Sequence, residues 1–565
     1  MVLSASLQTA KRSLELFSTG IQVAGNNTAN ANSEGYVREE LVLQSDTPFE
    51  IDGLVLGTGA KAAGIRQKLD WFLETSIYTS NSEYFSSTQT TNTLNDLQQI
   101  LGELGANDLS SSLNEFLGSL DEVINQPEVL ANSQSVIAAG ELLAQKVIGI
   151  REDVNQARAG MNVEIDALVE EANGLIAQIA DLNPEILRLE AGGLLKSDAG
   201  GLRSQRLAAI NRLSEIMPVR VQLRENGMVD VYTGNELLIN QSSFRTVETY
   251  RVVDHDVAVN RVRVAQTGNE VQPTGGELGG MLTARDQTYG DFVDEFNRLA
   301  ESIVYEFNRI HSQGEGREGF TEMTSQYSVS DASVSLSSSG LPYSVDHGYF
   351  DLKIVNTQSG LAETTRIQID ADGLNGDDTT MNDLVTQLDA ITGLNASLSA
   401  DGYLQLSTDA GVELRFSEDT SGAFAAIGLN SFFTGFDSAT IGVVDHLKDN
   451  PQLLAIGFGG GEGDNQNALL LSEFATTATE RLDNVSIEQF YQTQVSGIAD
   501  ATRAEQSIQD GHDTFLNSLL NQRDQISGVS LDEEAIRIIE FQQAYQAAAR
   551  IVSTVDELFN EILRL

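Results

Sequence analysis

The chain has 565 residues, 82 acidic and 34 basic, and a formal net charge of −48 at pH 7. That length exceeds a single hydrophobic core, and so acidic a surface repels phosphate backbones and anionic bilayers, which excludes nucleic acid and membrane as natural partners. With no cysteine there are no disulfides or thiolate metal sites, and no apolar run approaches the ~18 residues that a bilayer span needs.

At the N-terminus, Leu3, Leu7, Ala10, Leu14, Phe17, Ile21 and Ala24 recur at alternating steps of four and three, the period of a coiled-coil seam. Lys11 and Arg12 fall where the apolar stretch of a cleaved secretory signal would lie, so none is expected. Gly57, Gly59 and Ala62 fit a dinucleotide-binding spacing, but no strand–helix–strand unit surrounds them, and a hairpin turn is the expectation. A long heptad run follows, from Leu143 through Ile150 and Met161. It resumes from Ile165 to Leu182 and is expected to end at Asn183-Pro184.

The period then changes to two. Val219–Leu223 and Met228–Tyr232 flank Asn226-Gly227 and read as a hairpin opening a β-rich domain. Tyr289, Phe292, Phe296, Leu299, Ile303, Phe307 and Ile310 return to the helical period. From 325 to 442 a Ser-, Asp-, Gly- and Thr-rich segment alternates strands at 365–369, 403–406 and 412–416 with a helix from Met381 to Ile391, an α+β pattern. A capping box from Ser486 to Gln489 opens another helix, expected to bury Ile508, Phe515, Leu519 and Ile526, with His512 on the same inner face.

The last helix should begin near Leu531. Ser530 and Glu533 form a capping box there, and Asp532 and Glu534 add charge to its first turn. Its stripe is Ile538, Phe541, Tyr545, Ala548, Val552, Val555, Phe559 and Ile562. Ordering ~30 residues at ~1–2 kcal/mol each outweighs what one such stripe gains on burial, so neither end should stand alone. The two should pair with each other and with copies from neighbouring molecules. The expected architecture is a multidomain α+β chain. Both ends build a coiled-coil and helical-bundle shaft, and the β-rich and α+β segments are inserted into it and project outward.

Catalytic and cofactor sites are not expected. His255, His311, His347, His446 and His512 share no ligand spacing, and the glycine-rich Gly457–Gly461 stretch lacks the Lys-Ser/Thr of a phosphate loop and reads as a hinge. Asp370, Asp372, Asp377 and Asp378 around Asn375-Gly376 could suggest calcium, but Leu374 stands where an EF-hand needs a side-chain oxygen.

One stretch is specific. Ala24-Gly25-Asn26-Asn27-Thr28-Ala29-Asn30-Ala31-Asn32-Ser33-Glu34-Gly35-Tyr36-Val37-Arg38 resembles the signature of the bacterial flagellar rod, hook and hook-associated axial proteins. Asn26, Asn27, Asn30, Gly35, Tyr36 and Arg38 carry the likeness, while Thr28 and Glu34 replace a usual apolar residue and a usual proline. Leu531, Glu533, Phe541, Gln542 and Tyr545, within Ser527–Ala535 and Phe541–Arg550, are similar to the C-terminal segment of that family's hook–filament junction members. Asp70–Leu73, Gly275–Leu282 and Gly463–Leu469 resemble internal landmarks. Ser204-Gln205-Arg206-Leu207 lacks the family's flanking acids, which puts a salt bridge there in doubt.

The resemblance implies a structural subunit, not an enzyme, with no cofactor. It would be exported unfolded by the flagellar type III system, without a cleaved signal peptide, and would lie outside the cell. It would self-assemble as a ring, the first junction between hook and filament. Its implied partners are copies of itself, the hook protein, the second junction protein and an export chaperone. The implied domains are 1–60 with 528–565 (terminal coiled coil); 61–205, 275–324 and 443–527 (helical bundle); 206–274 (β-rich); and 325–442 (outer α+β). The alternatives are a hook or distal-rod subunit, or an exported axial protein whose outer domain is an adhesin.

Overall fold

The structure is a computed structural model describing residues 2–33, 35–51, 54–102, 108–191, 197–271, 273–374 and 376–564. Glu34 and Asn375, both singled out above, lie outside the described residues. The chain is mixed helix and sheet and divides into two compact units. Among the described residues no helix is long and apolar enough to cross a membrane.

The first unit comprises 1–93, 158–286 and 503–565. Its first helix, Val2–Ala29, packs along its last, Leu531–Arg564, and also against the antiparallel pair Glu39–Ser45 and Ala60–Gln67. Gly57 and Gly59 sit in the turn region of this hairpin, and Gly59 has φ +89°. The core of the unit gathers Ile165, Ala172, Ile176 and Ile179 with Ile210, Leu213 and Ile216 of the helix Gly200–Ile216. Val229, Val231 and Ile239 of a four-stranded antiparallel sheet complete it. The expected hairpin is present as Arg220–Leu223 paired with Val229–Thr233. A second hairpin, Val247–Asp254 with Val257–Val264, follows.

Pro184 does not end its helix. The helix runs from Leu130 to Ala191 with the proline inside. A proline removes one backbone donor, but flanking packing can carry the helix past it. Ile186 is fully buried, and the buried Asn183 amide donates to the carbonyls of Val229 and Gln241, tying this turn to the sheet. Arg206 is buried and donates to Asn183 Oδ1 (2.8 Å) and the Gly227 carbonyl (2.9 Å). Among the described residues no carboxylate pairs with it directly, and burial lowers its pKa to about 10.

The second unit comprises 94–157 and 287–502. Tyr289–His311 is helical as expected and presents Phe307 to a cluster of Phe116, Phe432, Phe433 and Phe474, all buried. The α+β segment holds two three-stranded antiparallel sheets. One orders Glu322–Ser328, Tyr403–Thr408 and Leu394–Leu398; the other orders Ala362–Ile369, Gly348–Asn356 and Val412–Asp419. The helix Met381–Asp389 opens on a complete capping box between Thr380 and Asp383.

The helix Ile487–Ser527 departs from expectation on one face. Leu519 is buried and Ile526 half-buried, but Ile508 and Phe515 are exposed, and Leu516 takes the inner position. His512 is not a core residue. It is half-exposed, 3.6 Å from Glu83. The contact with the facing helix Trp71–Leu101 is mixed: Leu516 and Leu519 pack with Leu73 and Ile77, while Gln509 donates to the Thr88 hydroxyl (3.0 Å). Apolar periodicity cannot locate a polar helix face.

Candidate functional site

The candidate site is where the two chain ends meet. Thr28 does not break the first helix; its hydroxyl donates to the Ala24 carbonyl (2.8 Å), and the helix continues to Ala29. Asn30 then caps the end, its amide donating to the Asn26 carbonyl (3.0 Å). Gly35 turns the chain at φ +70°, with its α-carbon so close to Ala208 that an added Cβ would lie 3.0 Å from that methyl. Both constraints favour glycine.

Asn27, fully buried, organises the turn. Its Oδ1 accepts from the Tyr36 hydroxyl (2.9 Å) and the Glu39 amide (3.0 Å), while its Nδ2 donates to the Glu39 carbonyl (2.9 Å) and to Glu534 Oε2 (3.2 Å). Arg38 is the second tie. Its Nε and Nη2 reach Glu534 Oε1 at 2.7 and 2.6 Å, its Nη1 reaches Glu533 Oε2 at 2.8 Å, and its backbone amide donates to the Ser527 carbonyl (3.0 Å). Burial alone would lower the Arg38 pKa, but the hydrogen bonds to Glu534 and Glu533 outweigh it and raise the value. Burial, with the charges of Glu39 and Glu534, raises Tyr36, which stays a neutral phenol.

The capping box expected at Ser530 is therefore only half formed. The Glu533 amide donates to Ser530 Oγ (3.4 Å), but the Glu533 carboxylate goes to Arg38. The acidic first turn serves as an arginine receptor as well as favouring the helix N-terminus.

Along the helix pair the expected stripe residues are brought together unevenly. Ala10, Ala24, Ala548 and Val555 are buried. Leu3, Leu7, Leu14, Phe17, Ile21, Ile538, Phe541, Val552 and Phe559 are half-buried, and Tyr545 and Ile562 are exposed. Phe17 and Phe541 pack with ring centroids 6.4 Å apart, and the Phe541 ring lies against Gly20, where an added Cβ would meet it at 2.8 Å. Leu531, Gln542 and the other motif glutamine Gln543 face solvent.

Sequence reasoning missed several contributors. Leu16 and Val23 are buried on the first helix one position before Phe17 and Ala24. They share a heptad position with Thr9, which abuts Gly59 of the β-hairpin, so the helix buries a second face away from the seam. Glu534 and Asn27 as partners had no local signal, lying 507 residues apart.

Elsewhere, His347, Asp370 and Asp372 could together hold a metal ion among the described residues, with His347 Nδ1 3.1 Å from Asp370 Oδ1. Asp378 instead accepts from the Gly373 amide (3.0 Å). His311 is wholly buried: its Nδ1 lies 2.8 Å from the Asn430 carbonyl, and its Nε2 accepts from the Ala455 amide (3.1 Å). A carbonyl can only accept and an amide only donate, so the proton sits on Nδ1. Burial lowers its pKa to about 4, as it does that of His446.

Comparison with known proteins bears on the whole chain. Residues 94–323 match the family model of the flagellar hook-associated protein FlgK helical domain, and residues 521–565 match that of the flagellar basal body rod FlgEFG protein C-terminal region. The flagellar hook-associated protein 1 of Escherichia coli (strain K12) is 24% identical over 587 residues, with 100% of both chains covered. That of Bacillus subtilis (strain 168) is also 24% identical, covering 99% of this chain and 97% of its own. The solved flagellar hook junction protein FlgK from Burkholderia pseudomallei superposes at a TM-score of 0.49 and 14% identity, covering 80% of this chain and 100% of that one. Relatives matched end to end, and family models at both the helical domain and the C-terminus, make this chain similar over its whole length to the flagellar hook-associated protein 1 of these bacteria, a structural flagellar component and not an enzyme.

Proposed function

We propose that this chain is the subunit of the first junction ring between hook and filament, polymerised through its terminal helices after export in an unfolded state. One observation carries the reading. Once the first and last helices have paired, the last still holds Ile536, Ile539, Ile551, Leu558, Ile562 and Leu563 at about half exposure or more. A lone folded chain gains nothing from such a surface, whereas neighbouring copies would cover it. The four-part division into terminal coiled coil, helical bundle, β-rich and outer α+β domains belongs to the same proposal. So do the hook protein, the second junction protein and an export chaperone as partners, and an extracellular location.

The test is sedimentation of the purified chain beside a chain lacking 531–564. The intact chain should form oligomers with rising concentration and salt, since salt screens the mutual repulsion of −48 subunits. The truncated chain should remain monomeric. In cells, its deletion should leave hooks without filaments by electron microscopy; filaments attached normally would refute the junction role.

A further inference from the structure

Contact between two copies of so acidic a chain meets least repulsion where neither presents carboxylates. The first unit has a groove of about 520 Å³ beneath the turn at Tyr36, and no Asp, Glu, Lys, Arg or His lines it. The exposed Gln178 and Gln205 line it together with Gly201, Ala208 and Ala209, small enough for a helix backbone to come close. The last helix offers a matching face. From Phe541 to Ala549 it contains no charged residue, and Gln542, Gln543, Gln546, Ala547 and Ala549 all face solvent. Among the described residues, none of these glutamine side chains hydrogen-bonds within the chain, on either the groove or the helix.

We propose that the groove lined by Gln178 and Gln205 receives the Gln542–Ala549 face of a second copy of this chain. The inference rests on the assembly reading above and deepens it by naming the contact. Four conditions converge on this occupant. Both surfaces are neutral within a −48 molecule, both carry amides with unused donors and acceptors, and both are lined with glycine or alanine. The two faces also differ from each other. A contact between unlike faces is heterologous, and repeating it generates a ring or a helical tube rather than a closed two-fold dimer.

The absence of native cysteine makes the test direct. Gln205→Cys and Gln546→Cys, both at exposed positions, are made in separate full-length chains, checked for native circular dichroism, mixed under associating conditions and treated with a short bismaleimide. The mixed pair should give a cross-linked dimer several-fold above a control pairing Gln205→Cys with Asp513→Cys. One chain carrying both substitutions should give a ladder of multimers. If the wild-type chain associates but the mixed pair cross-links no better than the control, this contact is overturned and the assembly reading stands. If the wild-type chain stays monomeric under every condition, both are overturned.

Discussion

Around Phe307, the rings of Phe116, Phe432, Phe433 and Phe474 lie with centroids 4.9 to 5.3 Å away, and each ring is buried. Along the terminal helices the apolar side chains are as regular in spacing, yet most are half in water. The difference is not one of composition. The aromatic core draws its residues from distant points of one chain and closes completely. The helix pair has only two faces to offer a seam that needs more. A protein can thus keep one region finished and another unfinished, and the unfinished one is where other molecules enter.

The sharpest way to break the comparison is to remove a ring from the closed core. Phe307→Ala should destabilise the second unit by about 4 kcal/mol, read as a lowered urea midpoint by near-ultraviolet circular dichroism. Helical signal from 531–564 by hydrogen exchange should be unchanged, because that helix takes nothing from Phe307. Glu534→Ala should do the reverse. It strands buried Arg38 with only Glu533 and should cost about 3 kcal/mol at the chain-end joint, exposing the last helix to exchange while leaving the aromatic core protected.

Acidity should separate the regions by sign. His311 has a lowered folded pKa of about 4, so its contribution is complete above the unfolded value near 6.5 and is lost as pH falls toward 4. Glu74, in the first turn of the helix Trp71–Leu101, is buried with neither carboxylate oxygen hydrogen-bonded, and burial lifts it to about 7. Its contribution is complete below about 4.5 and is lost as pH rises through 7. Each limb should amount to about 2–3 kcal/mol between pH 4 and 7. Exchange near Glu74 should therefore quicken with rising pH beyond the intrinsic rate, and Glu74→Gln should abolish that excess. Exchange around His311 should quicken on acidification, and a flat profile there would remove the histidine from the account. The smallest effect is expected of Gly20→Ala. Its methyl would meet the Phe541 ring at 2.8 Å, costing about 1–2 kcal/mol that better helix propensity only partly offsets. The check is the thermal midpoint of the terminal pair, and a rise in that midpoint would show the ring is free to move.

Much of this was legible in the sequence where a periodic signal existed. The Asn226-Gly227 hairpin and the strands of the α+β segment follow from spacing and turn chemistry. The signal failed where the structural reason was not apolar or not local. Ile508 and Phe515 misled because the helix packs through the neighbouring face that carries Gln509, Leu516 and Leu519, part of it polar and so invisible to apolar spacing. Pro184 misled because packing on either side holds the helix together. At the candidate site, Asn26 to Arg38 stood out as a motif, but nothing in it named Glu534, since an ion pair has no period.

That pair also sets a clock. Arg38 and Glu534 are 496 residues apart, so at ~5–20 residues per second a ribosome needs roughly half a minute to a minute and a half between making one and making the other. Throughout that interval the first helix has no seam to join and its guanidinium no receptor. The amino-terminal segment can be completed only once Glu534 has been made, which leaves it open to capture throughout that interval.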